Sequence, residues 1–312
     1  MGDHPGERPG VFLDHPGERP RAFSDRASAT LLLFALGAGA ASCSRHEAPA
    51  PSASQPPTIP APTAARPDPR ATIKELDALH LAPGAVITVD GRLDEPAWQT
   101  AKGTGPFVDV GSGRENPSLP AQGNARLLWD DQALYVGFEV ADKKVHGGWP
   151  QGRDGGDGDA GAREPHLWEK DTVEVMIDPD GDGDNKDYYE IQINPQNLVF
   201  DTQYDEYNSP NGNGRGPFGH EEWSANMTHA VVVHGSVDDD SDTDRGYTVE
   251  ARIPWASFTK AQHAPPRPGD TWRMNFYAMK NNGGTAWSPI LGMGNFHRAS
   301  RFGRVRWVAS SP

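Results

Sequence analysis

Cysteine is nearly absent: Cys43 is the only one in 312 residues, so no disulfide can form within the chain. Clustered positive charge is absent too. The 29 Lys and Arg are outnumbered by 43 Asp and Glu, a formal net charge of −14. No basic run offsets that excess, which removes nucleic acid from the candidate partners, because phosphate binding requires a concentrated basic surface. No apolar run reaches the length of a membrane-spanning helix; the longest, Ala29–Ser42, is short and rich in Gly and Ala. Long amphipathic stretches of helical period are also missing, which disfavours an α/β enzyme fold. No GxSxG, HExxH or Cys/His pairing occurs, and the 11 His are scattered. Apolar residues make up only 36% of the chain, a shortage concentrated in the first 80 or so residues and in 147–165. The remainder can build a normal core, and all 9 Trp lie between Trp98 and Trp307.

What is present divides the chain into three parts. Residues 1–42 read as a leader, with Arg21 and Arg26 ahead of the apolar run ATLLLFALGAGAAS and small residues at its end. Cys43 directly follows Ala40-Ala41-Ser42, a placement that resembles a bacterial lipobox, with Ala40 where Leu is preferred. The expectation is a lipoprotein lipidated at Cys43 and held at the cell envelope, or a secreted protein without that lipid. A repeat, DHPGERP at Asp3–Pro9 and Asp14–Pro20, precedes the run and carries no assigned role. Residues 43–82 read as a tether, rich in Pro, Ala and Ser to about Arg70, with one or two helical turns expected in 71–80. The folded domain is expected over 83–310.

Within that domain the apolar period is two. Leu134, Val136, Phe138 and Val140 share one face of a strand; Val173, Val175 and Ile177 share another, as do Tyr189, Ile191 and Ile193. Tyr247, Val249, Ala251 and Ile253 form a fourth row, and Trp272, Met274, Phe276 and Ala278 a fifth. Shorter strands are expected at Val86–Asp90, Ala125–Trp129, Val199–Tyr204, Ala230–His234 and Phe302–Trp307. About ten strands parted by Gly, Asp, Pro and Asn turns predict an all-β, antiparallel β-sandwich. Trp98, Trp129, Trp255 and Trp272 have core-type spacing.

Two features carry chemistry. The loop DPDGDGDNKD sets Asp178, Asp180, Asp182 and Asp184 at alternate positions, a donor set suited to calcium; it reads equally as a solvated hairpin turn. On the expected solvent side of the sheet, Glu174 and the row Glu190, Gln192, Asn194 would converge if that loop pairs their strands, with Trp168 just upstream. Aromatic faces beside amides and carboxylates suit sugars, because a ring packs on the C–H face while polar groups take the hydroxyls. A polar strand face is also simply a wet face of a sheet.

The blocks DGRLDEPAW (90–98), WEKDTVEVMIDPDGDGDNKDYYEIQIN (168–194), GYTVEARIPWASF (246–258), GDTWRMNFYAMKN (269–281) and FHRASRFGRVRW (296–307), in that order, resemble family 9 carbohydrate-binding modules. The resemblance runs from about residue 84 to 308 and implies a β-sandwich with structural calcium and a sugar slot between two aromatic rings. By position it assigns one wall to Trp168 and the other to Phe296, where a Trp is expected. Glu174 and Asn194 match polar contacts; Gln192 stands where an Arg is expected and Tyr277 where a Gln is expected. The function implied is non-catalytic glycan capture. Three other readings stay open: a glycoside hydrolase using Glu174 and Glu190, a b-type haem domain of the related DOMON type using Met293 and His297, and an adhesion or scaffold module without a small ligand.

Overall fold

The computed structural model describes residues 72–148, 167–212, 217–292 and 296–310. Cys43, the leader, most of the tether, the Gly152–Arg163 loop and Met293 lie outside these residues.

Twelve strands are found among the described residues: β1 (Glu75–His80), β2 (Val108–Asp109), β3 (Ala121–Trp129), β4 (Ala133–Asp142), β5 (Thr172–Asp178), β6 (Tyr188–Ile193), β7 (Val199–Tyr204), β8 (Thr228–His234), β9 (Gly246–Pro254), β10 (Thr271–Lys280), β11 (Gly283–Ala286) and β12 (Gly303–Val308). Ten of them form one ladder in the order β7-β6-β5-β10-β12-β1-β3-β4-β9-β8, with β11 added beside β10 and β2 beside β11. The ladder folds back on itself into a β-sandwich, so that β10 lies over β3 and β4. Phe276 of β10 meets Phe138 of β4 edge to face at 6.0 Å. The rows read as core from their period of two pack together between the halves: Val173, Val175 and Ile177 with Leu134, Val136, Phe138, Val249 and Ile253. Trp129, Trp255, Trp272 and Trp307 interlock edge to face, each centroid 5.2–6.4 Å from the next, the geometry that ring quadrupoles favour.

The start of the domain differs from expectation. The described residues of that stretch, 72–80, contain no helix, and the domain begins before Pro83: β1 runs through the middle of the ladder, parallel to both β12 and β3. The spacing of Leu76 and Leu79 reads as a helical turn in isolation. Leu76 and Ala78 instead alternate into the core, while Asp77 points outward to Arg306 and Lys102 at 2.7 and 2.9 Å. Two open strand edges supply backbone partners that a short helix would forgo. These parallel pairs are the exception in an otherwise antiparallel sheet. Val86–Asp90 forms no strand; Val86 is 74% exposed, and only Ile87 is buried.

The DGRLDEPAW block is strapped to β9 by one carboxylate. Glu250 accepts from the Asp90 and Gly91 amides at 3.0 and 3.1 Å and from the Trp98 indole at 2.9 Å. Gly91 sits at φ 83° with the Val231 backbone 3.0 Å from where a Cβ would stand, so a side chain there is excluded twice over.

Candidate functional site

Pairing in the β10-β5-β6-β7 half sets one row of residues on its outer face. Tyr277 stands opposite Glu174, Glu174 opposite Gln192, and Gln192 opposite Phe200. Glu190 lies on the same face one pair along, opposite Met176. The Asp-rich turn thus pairs its strands as expected, and Glu174, Glu190 and Gln192 converge.

The face is not wet. Glu174, Glu190 and Gln192 are only 2%, 3% and 1% exposed. A second, smaller core covers it, built from Met176, Tyr188, Tyr204, Tyr277, Met279 and Phe302 with Trp168, Phe218 and Phe296 packed against it. Phe218 follows β7, and Phe296 and Phe302 precede β12, so connections from both flanks fold across this half of the sheet. Alternation in one strand cannot reveal such a cover, because the cover comes from distant segments.

Beneath it lies a cavity of about 240 Å³. Glu174, Glu190, Gln192, Tyr204, Met279 and His297 form its buried floor; Trp168, Asn208, Phe218, Asn282 and Phe296 form a more exposed rim. Trp168 rises from a one-turn 3₁₀ segment, Leu167–Glu169. Leu167 anchors that turn by packing with Leu198 and Phe200. The indole meets Phe218 and Phe200 edge to face at 5.6 and 6.0 Å, and Asn282 N donates to the Trp168 carbonyl at 3.2 Å. The ring is therefore fixed beside the hollow, not sealed away from it.

Two residues assigned to sugar contact stand elsewhere. Asn194 is outside the cavity lining. Its Oδ1 accepts from the amides of Gln196 and Leu198 at 3.0 and 2.8 Å and closes the β6–β7 turn. Asx side chains favour this local bond over a distant ligand. Tyr277 is buried behind the rim, in edge contact with Phe296 at 5.1 Å, its hydroxyl donating to the Phe296 carbonyl at 3.0 Å. It positions Phe296 and does not line the hollow.

The polar floor is one connected network. The Gln192 amide donates to Glu190 and, at 3.4 Å, to Glu174. The Tyr204 hydroxyl donates to Glu190 at 3.0 Å. Asn208 N donates to the Tyr188 hydroxyl at 2.8 Å, and that hydroxyl is hydrogen-bonded to Nδ1 of His297, also 2.8 Å away. Nε2 of the same imidazole faces Glu190 at 3.6 Å. Burial keeps His297 neutral, its pKa lowered to about 3. Burial pushes Glu190 up to about 7 against the opposing bonds from Gln192 and Tyr204. It pushes Glu174 up as well, with the Glu190 charge adding to the effect. Two carboxyls tied together by one amide occupy the same floor and do not flank a substrate from opposite sides, as a glycosidase pair must.

Glu190 appeared in the sequence in the converging polar row and as a possible catalytic residue, and His297 only as a possible haem ligand. Tyr204, Asn208, Phe218, Met279 and Asn282 carried no signal; their elements bring them to the cavity only through the long-range pairing.

In the Asp-rich loop, carboxylate oxygens of Asp178, Asp180 and Asp182 lie within 4.8 Å of one another. Asp178 is buried and accepts from the Gly181 and Gly183 amides at 3.3 and 2.9 Å; burial first, then Asp180, pushes its carboxyl up to about 8. Three converging oxygens fit a hard cation. Asp184 does not join them, pairing with Lys186 at 3.0 Å.

The family model for carbohydrate family 9 binding domain-like proteins matches residues 89–309. A curated relative, Exoglucanase XynX of Acetivibrio thermocellus, is 26% identical over 139 residues, which are 45% of this chain and 9% of that protein. A putative carbohydrate-binding protein from Bacteroides uniformis has a solved structure similar to this one. It is 19% identical with a TM-score of 0.51, the match covering 76% of this chain and 100% of that one. A family 9 module from Caldicellulosiruptor kristjanssonii, solved with cellotriose, is 18% identical with a TM-score of 0.49, covering 76% and 95%.

Proposed function

Because the chain belongs to the carbohydrate family 9 binding domain-like family, a family of binding modules and not of enzymes, we propose that its cavity captures a carbohydrate without transforming it. The supporting observation is a hollow whose rim presents the half-buried rings of Trp168 and Phe296 above a buried hydrogen-bonding floor of Glu174, Glu190 and Gln192. A pyranose offers an apolar C–H face to such rings and hydroxyls to such a floor. A single small site of this kind supports affinities of about micromolar to millimolar Kd. The same reading places the domain at the bacterial cell envelope, lipidated at Cys43 and held off the surface by the Pro/Ala-rich tether. Asp178, Asp180 and Asp182 would hold calcium as a structural ion.

A glycan array probed with the wild type and Trp168→Ala tests the site. Binding by the wild type that is lost in the variant is expected. Binding that survives the substitution unchanged removes the cavity from the reading.

A further inference from the structure

The floor is one-sided in its chemistry. Gln192 spends its amide hydrogens on Glu190 and Glu174, the Tyr204 hydroxyl donates to Glu190, and His297 Nε2 stands 3.6 Å from Glu190. Two acceptors are left over: Glu174 Oε1 and Gln192 Oε1 are buried without a hydrogen-bond partner. Both residues line the hollow, and among the described residues no Lys or Arg lines it. Buried acceptors in want of a proton call for an occupant that donates.

A second site in the same fold shows what such a carboxyl pair accommodates. Asp142 and Asp171 are also buried side by side, and the Lys280 ammonium lies between them at 2.8 Å from each, with the Lys144 carbonyl as a further acceptor. Side chains of Lys280, Asp142 and Asp171 are 9%, 2% and 1% exposed. Among the described residues, Glu174 and Glu190 have no such cation. Burial raises both carboxyls, so an incoming ammonium that ionises one of them releases its proton as well as shedding water through a partly open rim. Charge-assisted bonds to a carboxylate are stronger than those of a neutral hydroxyl. A carboxylate on the ligand brings no proton to these oxygens and meets like charge once either floor carboxyl is ionised.

From these contacts we infer that the cavity selects sugars by charge: an amino sugar with a free ammonium is held more tightly than its neutral counterpart, and a uronate is refused. The inference rests on the carbohydrate reading above and deepens it. Isothermal titration of the full chain near neutral pH tests it. The probes are glucose, glucosamine hydrochloride, N-acetylglucosamine and glucuronate, backed by cellotriose against the fully deacetylated β-1,4-linked glucosamine trimer. The expected result is a several-fold tighter Kd for the ammonium-bearing member of each pair, with no advantage for N-acetylglucosamine and no detectable uptake of glucuronate. In Glu190→Gln, the ratio of the glucosamine to the glucose affinity should fall toward one. Glucose or cellotriose binding as tightly as the amino sugar, or glucuronate binding comparably, overturns the charge selection and leaves carbohydrate capture standing. Failure of every sugar to bind overturns both. The wild-type ratios decide the matter without any variant, so a folding defect in Glu190→Gln does not obscure the result.

Discussion

The Tyr277 hydroxyl donates to the Phe296 carbonyl at 3.0 Å while its ring meets the Phe296 ring edge on at 5.1 Å. A buried strand residue thereby holds an aromatic on the cavity rim. Tyr277→Phe keeps the ring and removes the bond. Asn275, which donates to the same hydroxyl at 2.7 Å, retains the Ser288 carbonyl at 2.8 Å. The expected loss of stability is therefore only about 1 kcal/mol, read by denaturant titration, together with weaker sugar binding. Unchanged affinity would show that Phe296 needs no such support.

Acidity should stabilise the floor. Glu190 is ordinarily half-protonated near 4.5 and in the fold near 7, so between these values the folded state holds a proton that the unfolded chain has released. Its contribution is complete below about 4.5 and disappears as pH rises through about 7. Glutamine at this position cannot titrate. The stability of the wild type relative to Glu190→Gln should thus fall by roughly 1–3 kcal/mol across that window. Chemical denaturation at the two ends measures this, and a difference that rises instead contradicts the protonated carboxyl.

Lys280 is the internal cation of the other carboxyl pair. Burial acts against its charge, and the bonds from Asp142 and Asp171 outweigh that, holding its pKa above the ordinary lysine value. Lys280→Met leaves two buried carboxylates facing each other, a loss of roughly 3–5 kcal/mol. Adding Asp142→Asn and Asp171→Asn should recover part of it, as measured by thermal unfolding. A variant as stable as the wild type would refute the pairing.

Calcium should raise the unfolding temperature if the Asp-rich loop holds it, since a ligand at about 100 times its Kd contributes roughly 2.7 kcal/mol. Asp180→Ala should abolish the shift, and Asp184→Ala should leave it, because Asp184 is engaged with Lys186. Calcium-independent unfolding in the wild type would reduce the loop to a turn.

Much of the sandwich was legible along the chain. Rows such as Val173, Val175 and Ile177 alternate because a sheet with one face on the core demands period two, and nothing distant can change which residues of a strand share a face. For the same reason Glu174 and Gln192 could be placed together once the Asp-rich turn was read as a hairpin. Trp168 could be placed beside that row from its position just upstream, and its role as one wall of a slot came from the family resemblance.

What lies on the other face of a strand is decided elsewhere. Burial of Glu174, Glu190 and Gln192, the retreat of Tyr277 behind Phe296, and the arrival of Tyr204, Phe218 and His297 all depend on connections folding over the sheet from remote positions. The central place of β1 likewise needed two waiting strand edges, from β12 and β3, before Leu76 and Ala78 could be told from a helical turn. Local periodicity is a property of neighbouring residues. Solvation and side-chain pairing belong to whichever segments meet in space, and these segments meet only when the whole chain has closed on itself.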